Sequence, residues 1–178
     1  VFSSEILATL LKAEEFALAL AYYNAIQPNL DTPELRDDFF EAMTKASITE
    51  SFFFIRRQPP AEQRHLLELL VDSTLNIPPS EERKRKGLEL VDLPFNATEE
   101  VWFREYLTNG KGRALERSGD TILTRLLALG RYDEMLDTVD DVNASKAKVD
   151  GVKWENIVEG VNRGMGDRRG FDHFELEK

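Results

Sequence analysis

Glu62 and His65 stand three residues apart in Glu62-Gln-Arg-His65, the spacing that puts two metal ligands on one face of a helix. A di-iron carboxylate bundle needs a second such pair and further glutamates facing it, but the chain has only two histidines and His173 has no matching glutamate. The expectation is a partly buried polar histidine near the start of its helix, with no metal or other cofactor. Thr108-Asn-Gly-Lys-Gly112 and Gly164-Met-Gly166 lack Walker or dinucleotide spacing and follow no strand, so neither reads as a phosphate loop. No serine has a nucleophile elbow and an assignable base. The chain reads as a non-enzyme.

Two basic features are left. Arg83-Lys84-Arg85-Lys86 falls between prolines and Gly87, in what reads as an exposed loop with one or two helical turns. Such a run serves as a nuclear-import signal or a small anion contact, or else as a solvated segment balanced by Glu81 and Glu82. Arg168-Arg169, between glycines, reads as a solubilising pair in a flexible segment. The chain as a whole carries 33 acidic against 23 basic residues, a formal charge of -10, which opposes broad binding to phosphate backbones or anionic membranes. It has no cysteine, which fits a reducing compartment such as cytosol or nucleus. No apolar stretch approaches the roughly 18 to 20 residues of a bilayer crossing, and no basic lead-in marks a signal peptide.

The elements that carry these residues read as helices throughout, because period-2 alternation and hairpin dipeptides are lacking. A helix over 3–12 follows a Ser3 or Ser4 cap. Another covers 14–26 and stops at Pro28, and Thr32-Pro33-Glu34 caps a third through Lys45. Ser47-Ile-Thr-Glu50 has capping-box spacing and opens a short helix whose apolar run, Phe52 to Ile55, advances about 100° per residue and so faces every side. That suits a position sandwiched between neighbours. Pro59-Pro60 ends it and starts a leucine-rich helix. Asn96-Ala-Thr-Glu99 opens a further helix that closes at Gly110; residues 113–129 form the next, and Gly130 joins it to a partner beginning at Arg131. After residue 143 the composition shifts. The division is therefore 1–143 as an α-helical domain and 144–178 as a short helix with a flexible tail.

The joints between helices repeat. Leu10-Leu11-Lys-Ala-Glu14-Glu-Phe16 aligns with Leu126-Leu127-Ala-Leu-Gly130-Arg-Tyr132, and a further copy is Ala42-Met43-Thr-Lys-Ala46-Ser-Ile48. In each, two apolar residues close one helix and an apolar residue after a tight turn packs the next helix back on it. Repeated antiparallel hairpins point to an irregular α-solenoid.

Five segments in order, ALALAYYNAIQP, ITESFFFIRRQPP, the leucine-rich helix, LPFNATEEVWFREYL and DTILTRLLALGRYDEML, resemble the helical domain of ELYS-like nuclear pore complex assembly proteins. The resemblance runs from Leu18 to Val142, and Phe52, Phe54 and Arg56 match the family's aromatic helix, whose rings are packed and whose arginines precede a turn. It implies a structural nucleoporin at the nuclear pore, within the Y-shaped outer-ring coat. The implied partners are a large scaffold nucleoporin and a β-propeller nucleoporin, with no catalysis. The family's earlier helices are missing before Val1, which reads as a truncated chain, and no AT-hook or long basic tail is present, which leaves direct chromatin tethering unsupported; a small fungal-type member is the expected match. Trp154, Arg169, Phe171 and Phe174 are the candidate partner-binding residues, as aromatic and arginine anchors in a segment with little other reason for them. The alternative is a helical-repeat adaptor in an unrelated cytosolic or nuclear complex.

Overall fold

The structure, a computed structural model, describes residues 2–139, 141–142 and 154–169, the last five of these as backbone alone. Among the described residues every regular element is helical. The chain divides into two compact units, Val1–Leu115 and Glu116–Lys178. This division follows contacts, whereas the one drawn at residue 143 follows composition.

The first unit holds α1 (Phe2–Lys12), α2 (Phe16–Ile26), α3 (Pro33–Ala46), α4 (Ile48–Ile55), α5 (Pro60–Leu75), α6 (Glu81–Val91) and α7 (Ala97–Thr108), then a 3-10 turn at Lys111–Ala114. Their starts follow capping chemistry. Thr32 accepts the Leu35 amide at 3.2 Å with Pro33 in the first turn, and Ser47 accepts the Glu50 amide at 3.2 Å. Asn96 and Glu99 complete a reciprocal capping box at α7. Ser4 does not cap α1; it lies within the helix and its hydroxyl donates to the Asn29 carbonyl at 2.9 Å.

Two of the three repeated joints share one geometry. At Glu14 (φ 59°) and at Gly130 (φ 68°) the chain turns through the left-handed region. Glu15 N–H donates to Leu10 and Glu14 N–H to Leu11; in the same register Arg131 donates to Leu126 and Gly130 to Leu127. This is the Schellman pattern, which satisfies the last carbonyls of the first helix. The Ala46 joint differs: Ser47 is extended, ending α3 and capping α4 with the same residue.

The core of the first unit is aromatic and centred on α4. Phe54 meets Tyr23 of α2 and Phe39 and Phe40 of α3, with ring centroids 6.4, 5.9 and 6.0 Å away. On another side Phe52 meets Phe95 at 5.4 Å, which meets Phe103 of α7 at 5.2 Å. Pairs at these spacings add about 0.5–1.5 kcal/mol each beyond area burial. Phe52, Phe54 and Ile55 are buried, but Phe53 is 45 % exposed, so the helix is enclosed on three sides and open on the fourth. The leucine face of α5 completes this core, with α3, α4, α6 and α7 all in contact with it.

Three sequence boundaries are corrected. The stretch expected as a loop is the three-turn helix α6, because Ser80 accepts the Arg83 amide at 3.1 Å and Glu81 and Glu82 favour its first turn. The helix expected from residue 113 begins at Ser118, since the 3-10 turn lays Gly112 under the Tyr106 ring; a Cβ there would approach Tyr106 to 2.6 Å. Helix also continues through the segment read as flexible, to Arg169, despite its glycines.

In the second unit, α8 (Ser118–Ala128) and α9 (Tyr132–Thr138) form the hairpin joined at Gly130. Met135 is fully buried. Helix α10 (Trp154–Arg169) joins them through Trp154, whose indole Nε1–H donates to Asp120 Oδ1 of α8 at 2.6 Å.

Candidate interaction surfaces

The basic run Arg83–Lys86 is one turn of α6 with its cations already engaged. Arg83 donates to the Ile77 carbonyl at 3.2 Å, Lys84 pairs with Glu81 at 3.0 Å and Arg85 with Glu89 at 3.6 Å. Lys86 is only 3 % exposed. Its Nζ donates to the carbonyls of Thr44 and Lys45 at 3.2 and 2.7 Å and pairs with Glu82 at 3.1 Å. Lys86 thus neutralises the free carbonyl end of α3, where the helix dipole favours a cation. Reading this run as an extended peptide requires unwinding α6 and withdrawing Lys86 from those carbonyls.

Trp154 is likewise interior, 6 % exposed and bonded to Asp120, so the indole expected as a free anchor fastens α10 to α8. Phe171 and Phe174 lie outside the described residues; Arg169 ends α10, and its side chain lies outside them too. Glu62 and His65 turn to α3 rather than to a common ligand: Glu62 pairs with Arg36, and His65 Nε2 stands 2.8 Å from Asp37 Oδ2.

A second cross-element tie shapes the aromatic core. Arg56, the residue that follows α4, forks onto both oxygens of Glu99 at 2.9 and 2.8 Å and donates to the Pro94 carbonyl at 2.7 Å. Its guanidinium also lies 4.4 Å above the Phe52 ring. Burial pushes the Glu99 carboxyl up, but the Arg56 hydrogen bonds, the Asn96 amide and the Arg56 charge together hold it below its ordinary range. Tyr106 is shifted upward, by burial and by its hydroxyl bond to Asp72 Oδ1 at 2.8 Å. Both ties hold helices in place.

Sequence reasoning passed over a different face. Helix α2, FALALAYYNAI, has no charged residue, yet only Ala19 is buried; Leu18 is 55 % and Ile26 54 % exposed. Ala17, Leu18, Ala21 and Ala25 share the outward side of the helix, with the uncharged Asn24 at its edge. The signal was present as an uncharged helix of low amphipathicity, which reads equally well as an interior helix.

The family model for ELYS, described as nuclear pore complex assembly, matches residues 1–110. The chain belongs to the ELYS family. The matched region takes in α1 to α7, and with them the Arg56–Glu99 tie, the aromatic core and the open face of α2. No curated protein and no solved structure matches this ELYS-family chain. No described helix is long and apolar enough to cross a membrane.

Proposed function

We propose that this ELYS-family chain is a structural nucleoporin of the Y-shaped outer-ring coat. It joins a large scaffold nucleoporin and a β-propeller nucleoporin at the nuclear envelope, supporting pore assembly and, through it, transport of protein and mRNA. The observation that carries the reading is the family match across residues 1–110, which covers α1 to α7. Its hairpins are read as an irregular α-solenoid, a form that offers extended surfaces to other folded subunits. The role proposed is non-catalytic, and in keeping with it Glu62, His65 and Lys86 each pair with a group on α3.

The test is affinity isolation of the full-length chain from nuclear extract, with partners identified by mass spectrometry and quantified against the bait. Coat nucleoporins are expected in amounts comparable to the bait. Recovery of chaperones alone, or of an unrelated complex, would reject the reading.

A further inference from the structure

The outer face of α2 and the ridge beside it differ in chemistry. On α3, Glu34, Asp38 and Glu41 stand exposed at helical spacing. Lys45, one turn further along, reaches 4.0 Å over the Phe16 ring of α2, so this acidic ridge runs alongside α2. Glu14 and Glu15 are exposed at the α1–α2 joint as well. An uncharged face is therefore bordered by five exposed carboxylates against two exposed lysines, Lys12 and Lys45, and the border is acidic on balance.

We propose that the outer face of α2 docks an amphipathic helix of a partner protein, its apolar seam covering Leu18, Ala21 and Ala25 and its flanking lysines or arginines meeting Glu34, Asp38 and Glu41. Three properties select this occupant. The backbone of α2 is satisfied within the helix, so an extended peptide finds no row of free N–H and C=O groups to pair with, and side-chain packing on a helix is the available mode. The small outward residues let a second helix approach closely, with Leu18 as the protruding contact. The ridge then selects for charge: a second copy of this chain brings the same carboxylates and a net -10, and an anionic membrane surface is repelled in the same way. A basic-flanked helix is favoured by both the seam and the rim.

This surface deepens the coat reading and rests on it for the kind of assembly involved. The test places a photo-cross-linking phenylalanine analogue at Ala21 of the full-length chain in its own cells and reads the cross-linked peptide by mass spectrometry. The cross-link is expected on a helix-forming segment with Lys or Arg on both flanks. Its yield should fall about tenfold with Leu18→Asp, or with Asp38→Lys combined with Glu41→Lys. All three positions are exposed, so the variants are expected to retain the wild-type circular dichroism and melting temperature. Cross-links to a second copy, to lipid or to a segment without basic flanks, or no cross-link at all, would overturn the proposal. Nuclear-rim fluorescence in the same cells separates the two readings. A protein at the rim that gives no cross-link overturns the surface alone; the expected cross-link in a protein away from the rim supports the surface and overturns the coat reading.

Discussion

Helices α2 and α4 are both uniformly apolar but for a few polar positions, and the fold treats them in opposite ways. In α4, five of eight residues are buried, including Phe52 and Phe54; in α2, one of eleven is. The difference lies in neighbours: α4 packs along α3, α5 and α6, whereas α2 packs along α1 and α3 and reaches α4 through Tyr23. Apolar composition therefore holds the fold together in one place and remains open for a partner in the other.

The largest effect expected from breaking this comparison is at the enclosed helix. Phe54→Ala removes a ring that meets three others, and chemical denaturation should register a loss of about 3–5 kcal/mol. A loss under about 1 kcal/mol would mean that α4 is not the centre of the core. Next comes the tie that holds α4 to α7. Glu99→Ala removes the capping-box carboxylate and leaves Arg56 without its fork, with an expected cost of about 2–3 kcal/mol after allowance for the partial exposure of Arg56. Because the folded pKa of Glu99 is depressed, its contribution is present above its unfolded value of about 4.3 and is lost as pH falls through the folded value. Stability measured from pH 6 downward should accordingly fall less steeply below about pH 4 in Glu99→Gln than in the wild type.

Smaller effects sharpen the comparison of joints. Glu14→Gly relieves a left-handed residue and should stabilise the first unit by about 0.5–1 kcal/mol, whereas Gly130→Ala should destabilise the second by about 1 kcal/mol. Equal signs in thermal melts would contradict the shared geometry of the two joints. The smallest change in stability, within about 0.5 kcal/mol, is expected for Leu18→Asp on the open face of α2.

How much of this was legible in the sequence depended on whether the signal was local. The Thr32, Ser47 and Asn96 caps act within one helical turn, and each could be read from spacing. The Glu14 and Gly130 joints could also be aligned by their flanking apolar residues, although Glu14 gave no hint of its left-handed conformation. Helix α6 was hidden because Pro78-Pro79 and four cations read as a loop, and what holds Lys86 is the end of α3, forty residues earlier in the chain. The same holds for Trp154: its partner, Asp120, lies on another helix, so the sequence offered an aromatic residue without the contact that buries it. Exposure at Phe53 and α2 is decided by which helices are absent from a side, and a pattern within one helix does not carry that information.

The central claim is that this ELYS-family chain acts through folded surfaces of its first unit, with α2 open to a partner while α4 holds the core. The most direct test pairs two readouts on the full-length Leu18→Asp variant: melting temperature, and recovery of coat nucleoporins by affinity isolation. The account predicts a melting temperature at the wild-type value together with a recovery reduced about tenfold. A melting temperature lowered as far as in Phe54→Ala, or undiminished recovery of the coat, would contradict it.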